Sequence, residues 1–192
     1  MRSIKALILR VLNENRIMTI ATNRQDGWPQ ATTVGYVNDG FMLYCFVPRS
    51  TQKYANVLRD PRVSIAIGAD AQNPMETRGL SLAGTVSEVI DKFEFDYVAK
   101  LRLKRYPEYA TVQQPSPQDI AEGALSRIMS EPSSTRVALL RVAPEVISVI
   151  DHSKGFGHSD LVTFSERDLD IHLGSFRHGW NDIGPLADAT DP

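Results

Sequence analysis

Between Arg16 and Val47 the sequence falls into three β-type segments, 16–23, 28–37 and 41–47, and each break between them holds an Asp-Gly pair, Asp26-Gly27 and Asp39-Gly40. Asp-Gly favours tight hairpin turns, because glycine reaches positive φ at no steric cost. Links this short force neighbouring strands to run antiparallel. The chain therefore opens its sheet as an antiparallel meander. Pro29 stands at the start of the second strand, where a missing N–H is tolerated.

The remaining segments extend this pattern. Ile4, Leu7, Ile8, Val11 and Leu12 form one helical stripe ahead of the first strand, with Ser3 placed to cap it and Asn13 and Asn15 to end it. After the third strand, residues 48–61 read as a short helix with Ser50 or Thr51 at its start and Pro61 as its stop. Strands are expected at 62–69 and 80–90, the second with Gly84 marking a bulge or a close backbone approach. Residues 91–130 are helical in pattern. The first helix there has Phe93, Tyr97 and Leu101 as its apolar edge, and a second covers 117–129. A long strand follows at 135–151, interrupted at Pro144. The expected class is α+β: mainly antiparallel β, about six strands closing toward a barrel, with a helical insertion at about 91–130. A unit over 1–151 and a C-terminal tail over 152–192 packing on it are the expected divisions.

Composition narrows the function. Lys+Arg 21 against Asp+Glu 23 gives a net charge of −2, without the basic excess of a nucleic-acid or anionic-membrane binder. No apolar run approaches the roughly 20 residues of a membrane helix, and the N-terminus lacks a leader's cleavage site, so a cytoplasmic protein is expected. One cysteine allows neither an intrachain disulfide nor a multi-cysteine zinc site.

The most informative stretch is Arg49-Ser50-Thr51-Gln52-Lys53. A strand ends, Pro48 turns the chain, and a helix begins with two hydroxyls and two cations around its first turn. Helix N-termini expose unpaired N–H groups, so a phosphate is the fitting guest, and Lys53 or Arg49 would neutralise it. The same residues also suit an ordinary capped surface helix. On the second strand Gln30, Thr32 and Val34 share one face, and Ala31 and Thr33 the other. That polar face suits either a planar, heteroatom-rich ligand or plain solvent.

The order and spacing of several elements carry a resemblance. These are Ala21-Thr22, Asp26-Gly27 with Pro29, Asp39-Gly40, Thr51 with Lys53, and Asn56, Leu58, Asp60-Pro61 and Val63, followed by Gly84 within its strand and the long strand to Asp151. Over about residues 14 to 151 the chain resembles the pyridoxamine-phosphate-oxidase-like family of FMN-binding split barrels. The resemblance implies a split-barrel homodimer with one FMN in each of two clefts at the subunit interface, and a flavin-dependent oxidoreductase acting on a small molecule. By position, Thr51, Gln52 and Lys53, with Ser50, would hold the phosphate. Thr32, Thr33 and Val34, beside Gln30, would line the flavin, and Phe46 and Val47 would meet it largely through backbone groups. Family members often carry a phosphate-binding arginine in the second strand; here that stretch is Gln30 to Val34, and Arg49 is the expected substitute. The namesake enzyme carries an arginine and a histidine two residues apart near its C-terminus. Arg177 and His178 are adjacent here, which implies a relative with another substrate.

Three alternatives stay open within the fold: the deazaflavin F420, haem with an axial ligand among His152, His158, His172 and His178, or a flavin-binding stress or sensor protein without turnover. A metal site is not expected, because the histidine–carboxylate pairs at 151–152 and 158–160 lack helical i, i+4 spacing. Trp28 and Trp180 are expected to pack, Cys45 to be a buried small hydrophobe, and the basic run 100–105 to be a solvated helix face.

Overall fold

The computed structural model describes residues 4–68, 71–108 and 136–164. In chain order these form α1 (Ile4–Glu14), β1 (Ile17–Asn23), β2 (Pro29–Gly35), β3 (Val37–Asp39), β4 (Met42–Pro48), α2 (Gln52–Arg59), β5 (Arg62–Gly68), β6 (Arg78–Glu88), α3 (Lys92–Arg105), β7 (Val137–Asp151) and β8 (Ser159–Thr163). The strands make one antiparallel sheet in the order β2-β1-β5-β6-β7-β4-β3, with β8 beside β7. β2 and β3 lie at opposite ends of that order, yet only Tyr36 separates them in the chain. The sheet must therefore curl until its ends meet, which is a split barrel in an α+β chain.

The expected closure is present, but the strand count of about six and the opening three-strand meander are corrected. The expected second strand breaks at Tyr36: β2 pairs with β1, β3 pairs with β4, and no ladder joins β2 to β4. One segment serving both hairpins cannot stay straight while the sheet curls. Tyr36 fixes the bend, since it is buried, its N–H donates to the Arg16 carbonyl (3.2 Å) and its hydroxyl to the Leu12 carbonyl (2.8 Å). Seven strands follow the curl, and β8 adds an eighth. Gly155 (φ 138°) and Gly157 (φ 78°) turn the chain between β7 and β8 in a conformation that side chains rarely adopt.

Alternation along β1 and β5 sends Met18, Ile20, Val63, Ile65 and Ile67 inward, where they meet Leu82, Val142, Ile147 and the Ile8–Val11–Leu12 face of α1. A second apolar cluster forms outside the barrel, where Phe95, Val98 of α3 and Tyr106 cover Val37, Tyr44 and Leu139. The expected edge of α3 is thus corrected. Phe93 is 85% exposed and Phe95 is buried, because residues two apart on a helix face nearly opposite ways and the Phe95–Val98 face is the one against the sheet. Trp28 is likewise not a packing residue: it is 72% exposed in the β1–β2 turn, beyond the end of the barrel. The second helix expected at 117–129 and the tail beyond 164 lie outside the described residues.

Gly84 sits opposite Pro144 where the β6–β7 register shifts and Glu145 bulges out. The bulge accommodates a proline that cannot donate to the ladder. A Cβ on Gly84 would collide with the Ala143 carbonyl oxygen. Gly84→Ala is therefore expected to lower stability by about 2 kcal/mol or more, read as a shift of the urea midpoint.

Candidate functional site

β4 ends at Pro48, and the next three residues turn the chain into α2. The Pro48 carbonyl accepts both the Thr51 N–H (3.0 Å) and the Thr51 hydroxyl (2.7 Å). Thr51 is the N-cap residue, but its side chain is spent on that turn and makes no capping bond. Its own carbonyl accepts the N–H groups of Tyr54 and Ala55. The N–H groups of Gln52 and Lys53 have no acceptor among the described residues, which leaves a helix N-terminus with two free donors. Ser50 and Gln52 are exposed there, while Thr51 and Lys53 are half-buried. The Lys53 ammonium makes no hydrogen bond or ion pair with the described residues. Its charge is felt by Cys45, whose thiol burial pushes up to about 12 while Lys53 pulls the other way. Arg49 faces elsewhere: its guanidinium pairs with Glu88 and donates to the Tyr54 hydroxyl.

β2 approaches this helix start through a buried amide. Asn56, on α2 and 1% exposed, donates to the Thr22 hydroxyl (2.9 Å) and to Gln30 Oε1 (3.1 Å), and accepts from Gln52 Nε2 (3.0 Å). Gln30 and Gln52 are thus joined through one side chain. Further along the same face, Thr32 Oγ1 is buried without a hydrogen-bond partner among the described residues, and Val34 packs on the core. Thr33 is exposed on the opposite face.

β3 pairs with β4 only as far as Tyr44, so from Cys45 to Pro48 β4 is laddered to β7 alone. That unpaired stretch is the split in the barrel, and Phe46 and Val47 belong to it. Val47 points into the core, whereas Phe46 lies half-buried outside, edge-on to Phe95 (5.9 Å) and under the Arg102 guanidinium (4.8 Å). A cleft of ≈ 120 Å³ opens beside Phe46, lined also by Gly35, Tyr36, Val37, Tyr44, Arg102 and Tyr106. A wider one of ≈ 350 Å³ lies between the β1–β2 turn and α2, lined by Arg24, Gln25, Asp26 and Gln52.

Behind the split, α3 carries a buried acid network. Glu94 accepts from the Tyr44 hydroxyl (3.0 Å) and from Arg141 Nη1 (3.2 Å). Asp39 is 1% exposed, and its Oδ1 has no hydrogen-bond partner among the described residues. Burial above all, and then the Glu94 charge, push its carboxyl up to about 7 against the hydrogen bond from Tyr97. Among the described residues no three His, Cys, Asp or Glu side chains gather as a metal set. His158 faces Asp160 (3.1 Å) and His152 the Pro74 carbonyl (3.1 Å).

The family model of pyridoxamine 5'-phosphate oxidase matches residues 4–150. The chain belongs to the pyridoxamine 5'-phosphate oxidase family. Structures of the same fold include a conserved hypothetical protein of Mycobacterium tuberculosis (25% identity, TM-score 0.61, covering 86% of this chain and 95% of that one). A heme binding protein of Mycobacterium smegmatis shares it at 20% identity and TM-score 0.58, covering 85% of this chain and 59% of that one. So does a FAD-binding protein of Mesorhizobium loti, at 19% identity and TM-score 0.54, covering 75% and 92%. No curated protein matches the chain in sequence.

Within this family member, sequence reading missed Asn56, Thr22, Arg102 and Tyr106. Thr22 and Asn56 were visible as carriers of the resemblance, though with no site role attached; Arg102 and Tyr106 are four apart beside the cleft, and that spacing was their one visible signal. The expectation of a solvated basic face at 100–105 is corrected too: Arg102 covers Phe46, and Arg105 donates to the Leu12 carbonyl (2.7 Å) and Asn38 Oδ1 (2.6 Å). Asp39 gave no signal beyond its turn. Its carboxyl keeps a proton in the folded state that the unfolded chain loses near pH 3.8. Stability therefore falls as pH rises from about 4 to about 7. Asp39→Asn, which cannot ionise, is expected to be more stable than wild type by roughly 1–3 kcal/mol at pH 8, with the gain gone at about pH 3, below the value of the unfolded carboxyl; urea denaturation at the two pH values measures it.

Proposed function

We propose that this family member is an FMN-binding oxidoreductase whose cofactor phosphate sits on the first turn of α2, with an unidentified small molecule as its reaction partner. The observation that carries the reading is the pairing of two free helix N–H groups with Lys53, a half-buried cation that has no carboxylate partner among the described residues. Such a site is electrostatically incomplete without an anion. The residues fit the rest of the cofactor as well. Thr32 Oγ1 is a buried hydroxyl in want of a partner on the β2 face that also holds Gln30, and the unpaired edge of β4 at Phe46 and Val47 offers backbone groups. Ser50, Thr51, Gln52 and Lys53 would hold the phosphate, and Gln30, Thr32, Val34, Phe46 and Val47 the ring system.

When bound, FMN accepts and donates the hydride or electrons itself, and the protein binds, orients and shields it. Phe46 borders both the β4 edge and the ≈ 120 Å³ cleft under Arg102 and Tyr106, so that cleft is the place for the small molecule. The reading includes a homodimer with the cofactor at the subunit interface and a cytoplasmic location. No helix among the described residues is long and apolar enough to cross a membrane.

Absorbance of the purified protein and mass spectrometry of what denaturation releases test the cofactor. FMN is the expected product; F420 or haem would keep the fold and replace the chemistry. A colourless chain that also leaves added FMN unbound would reduce the α2 start to a plain surface helix. Lys53→Ala is expected to weaken FMN binding by about 1–3 kcal/mol, the usual loss for a charge-assisted hydrogen bond, measured by titration calorimetry. Reduction of the bound flavin by a nicotinamide donor, followed by reoxidation, separates an enzyme from a non-catalytic binder.

A further inference from the structure

Arg49 is the arginine nearest in sequence to the α2 start, yet its guanidinium is engaged away from that helix's free N–H groups. Its two terminal nitrogens grip both oxygens of Glu88, at the end of β6, as a fork. One of them also donates to the Tyr54 hydroxyl, and that hydroxyl donates to Glu88 Oε2 (2.9 Å). The three groups come from the 48–51 turn, from α2 and from β6, and the ion pair is largely shielded, with side chains 25% and 21% exposed. Turning Arg49 toward an anion would strip Glu88 of its fork in this shielded place. The Arg49 N–H also donates to the Arg136 carbonyl (2.8 Å), a second tether on the same residue. Tyr54 directly follows Lys53 on the helix, so anchoring Tyr54 to Glu88 fixes the rotation of α2 and with it the direction of Lys53.

We propose that Glu88 and Arg49 are positioning residues of the anion site: the carboxylate of Glu88 holds Arg49 and Tyr54, sets the 48–51 turn and the rotation of α2, and leaves Lys53 as the cation that meets the ligand. The inference rests on the FMN reading above. It replaces the expectation that Arg49 itself neutralises the phosphate.

Glu88→Gln separates the two roles, because they predict opposite signs. Removing a negative charge near the site should tighten the binding of any anion by Coulomb attraction alone, and should do so further if Arg49 is released to join it. A positioning role predicts weaker binding despite the lost charge. The measurement is quenching of FMN fluorescence on titration with protein at several salt concentrations, with thermal melting of each variant to register its folded fraction. Glu88→Gln and Arg49→Lys are each expected to weaken FMN binding about fivefold, and the double variant no further, as for members of one coupled unit. Both should keep the wild-type salt dependence, while Lys53→Ala flattens it. Arg49→Lys keeps the charge and loses the fork, so wild-type affinity in that variant would overturn the proposal. Tighter or steeper salt-dependent binding by Glu88→Gln would do the same. Should Glu88→Gln melt below the assay temperature, Tyr54→Phe takes its place: it keeps the Arg49–Glu88 pair and is expected to weaken binding about twofold, and unchanged affinity there counts against the clamp. If the wild-type chain fails to quench FMN, the cofactor reading falls and this inference falls with it.

Discussion

The fold hangs on one residue that has to belong to two hairpins at once. Tyr36 ends the segment paired to β1 and begins the segment paired to β4, and these partners stand far apart in the strand order. An antiparallel sheet meets that demand only by curling, and native strand twist supplies the curl. Burying the Tyr36 ring while its hydroxyl reaches the Leu12 carbonyl ties the bend to α1. The split in the barrel follows directly. Once the chain bends away at Tyr36, the last residues of β4 lose their neighbour on one side. The candidate cofactor surface is therefore a by-product of closure and needs no separate loop to build it.

The two sides of that split differ in chemistry. Toward α2 the surface is polar, with helix N–H groups, Lys53, and the Asn56-centred amide network. Toward α3 it is aromatic and capped by arginine, with Phe46 between Phe95 and Arg102. A ligand with an anionic tail and a flat, apolar head matches this polarity gradient along its length. Asp39 and Glu94 lie behind the aromatic side, where burial and the Glu94 charge raise the Asp39 carboxyl. Arg141 offsets Glu94, whereas the unpartnered oxygen of Asp39 has no such compensation.

The sequence carried the elements well wherever periodicity and turn chemistry agreed. The α1 stripe, the alternation of β1 and β5 and the Gly84 irregularity all stand where local residues place them. What local pattern could not carry is pairing at a distance. Nothing in residues 28–37 announces that a strand breaks at Tyr36, because the break answers to the whole sheet. The inner face of α3 was misread for a related reason. Phe93 and Phe95 are equally apolar, and only the docking of the helix decides which is covered. At the candidate site the α2 start was visible as composition, whereas Thr22, Glu88 and Arg102, which surround it, come from elements whose meeting the linear order conceals.

Cys45, the one cysteine of the chain, lies in β4 beside the split. Its side chain points into the core, is 1% exposed, and holds its proton to about pH 12. Oxidants attack the thiolate, and attack requires access. A preparation of this protein can therefore be kept in air without added thiol reductant, free of cysteine cross-linking between chains.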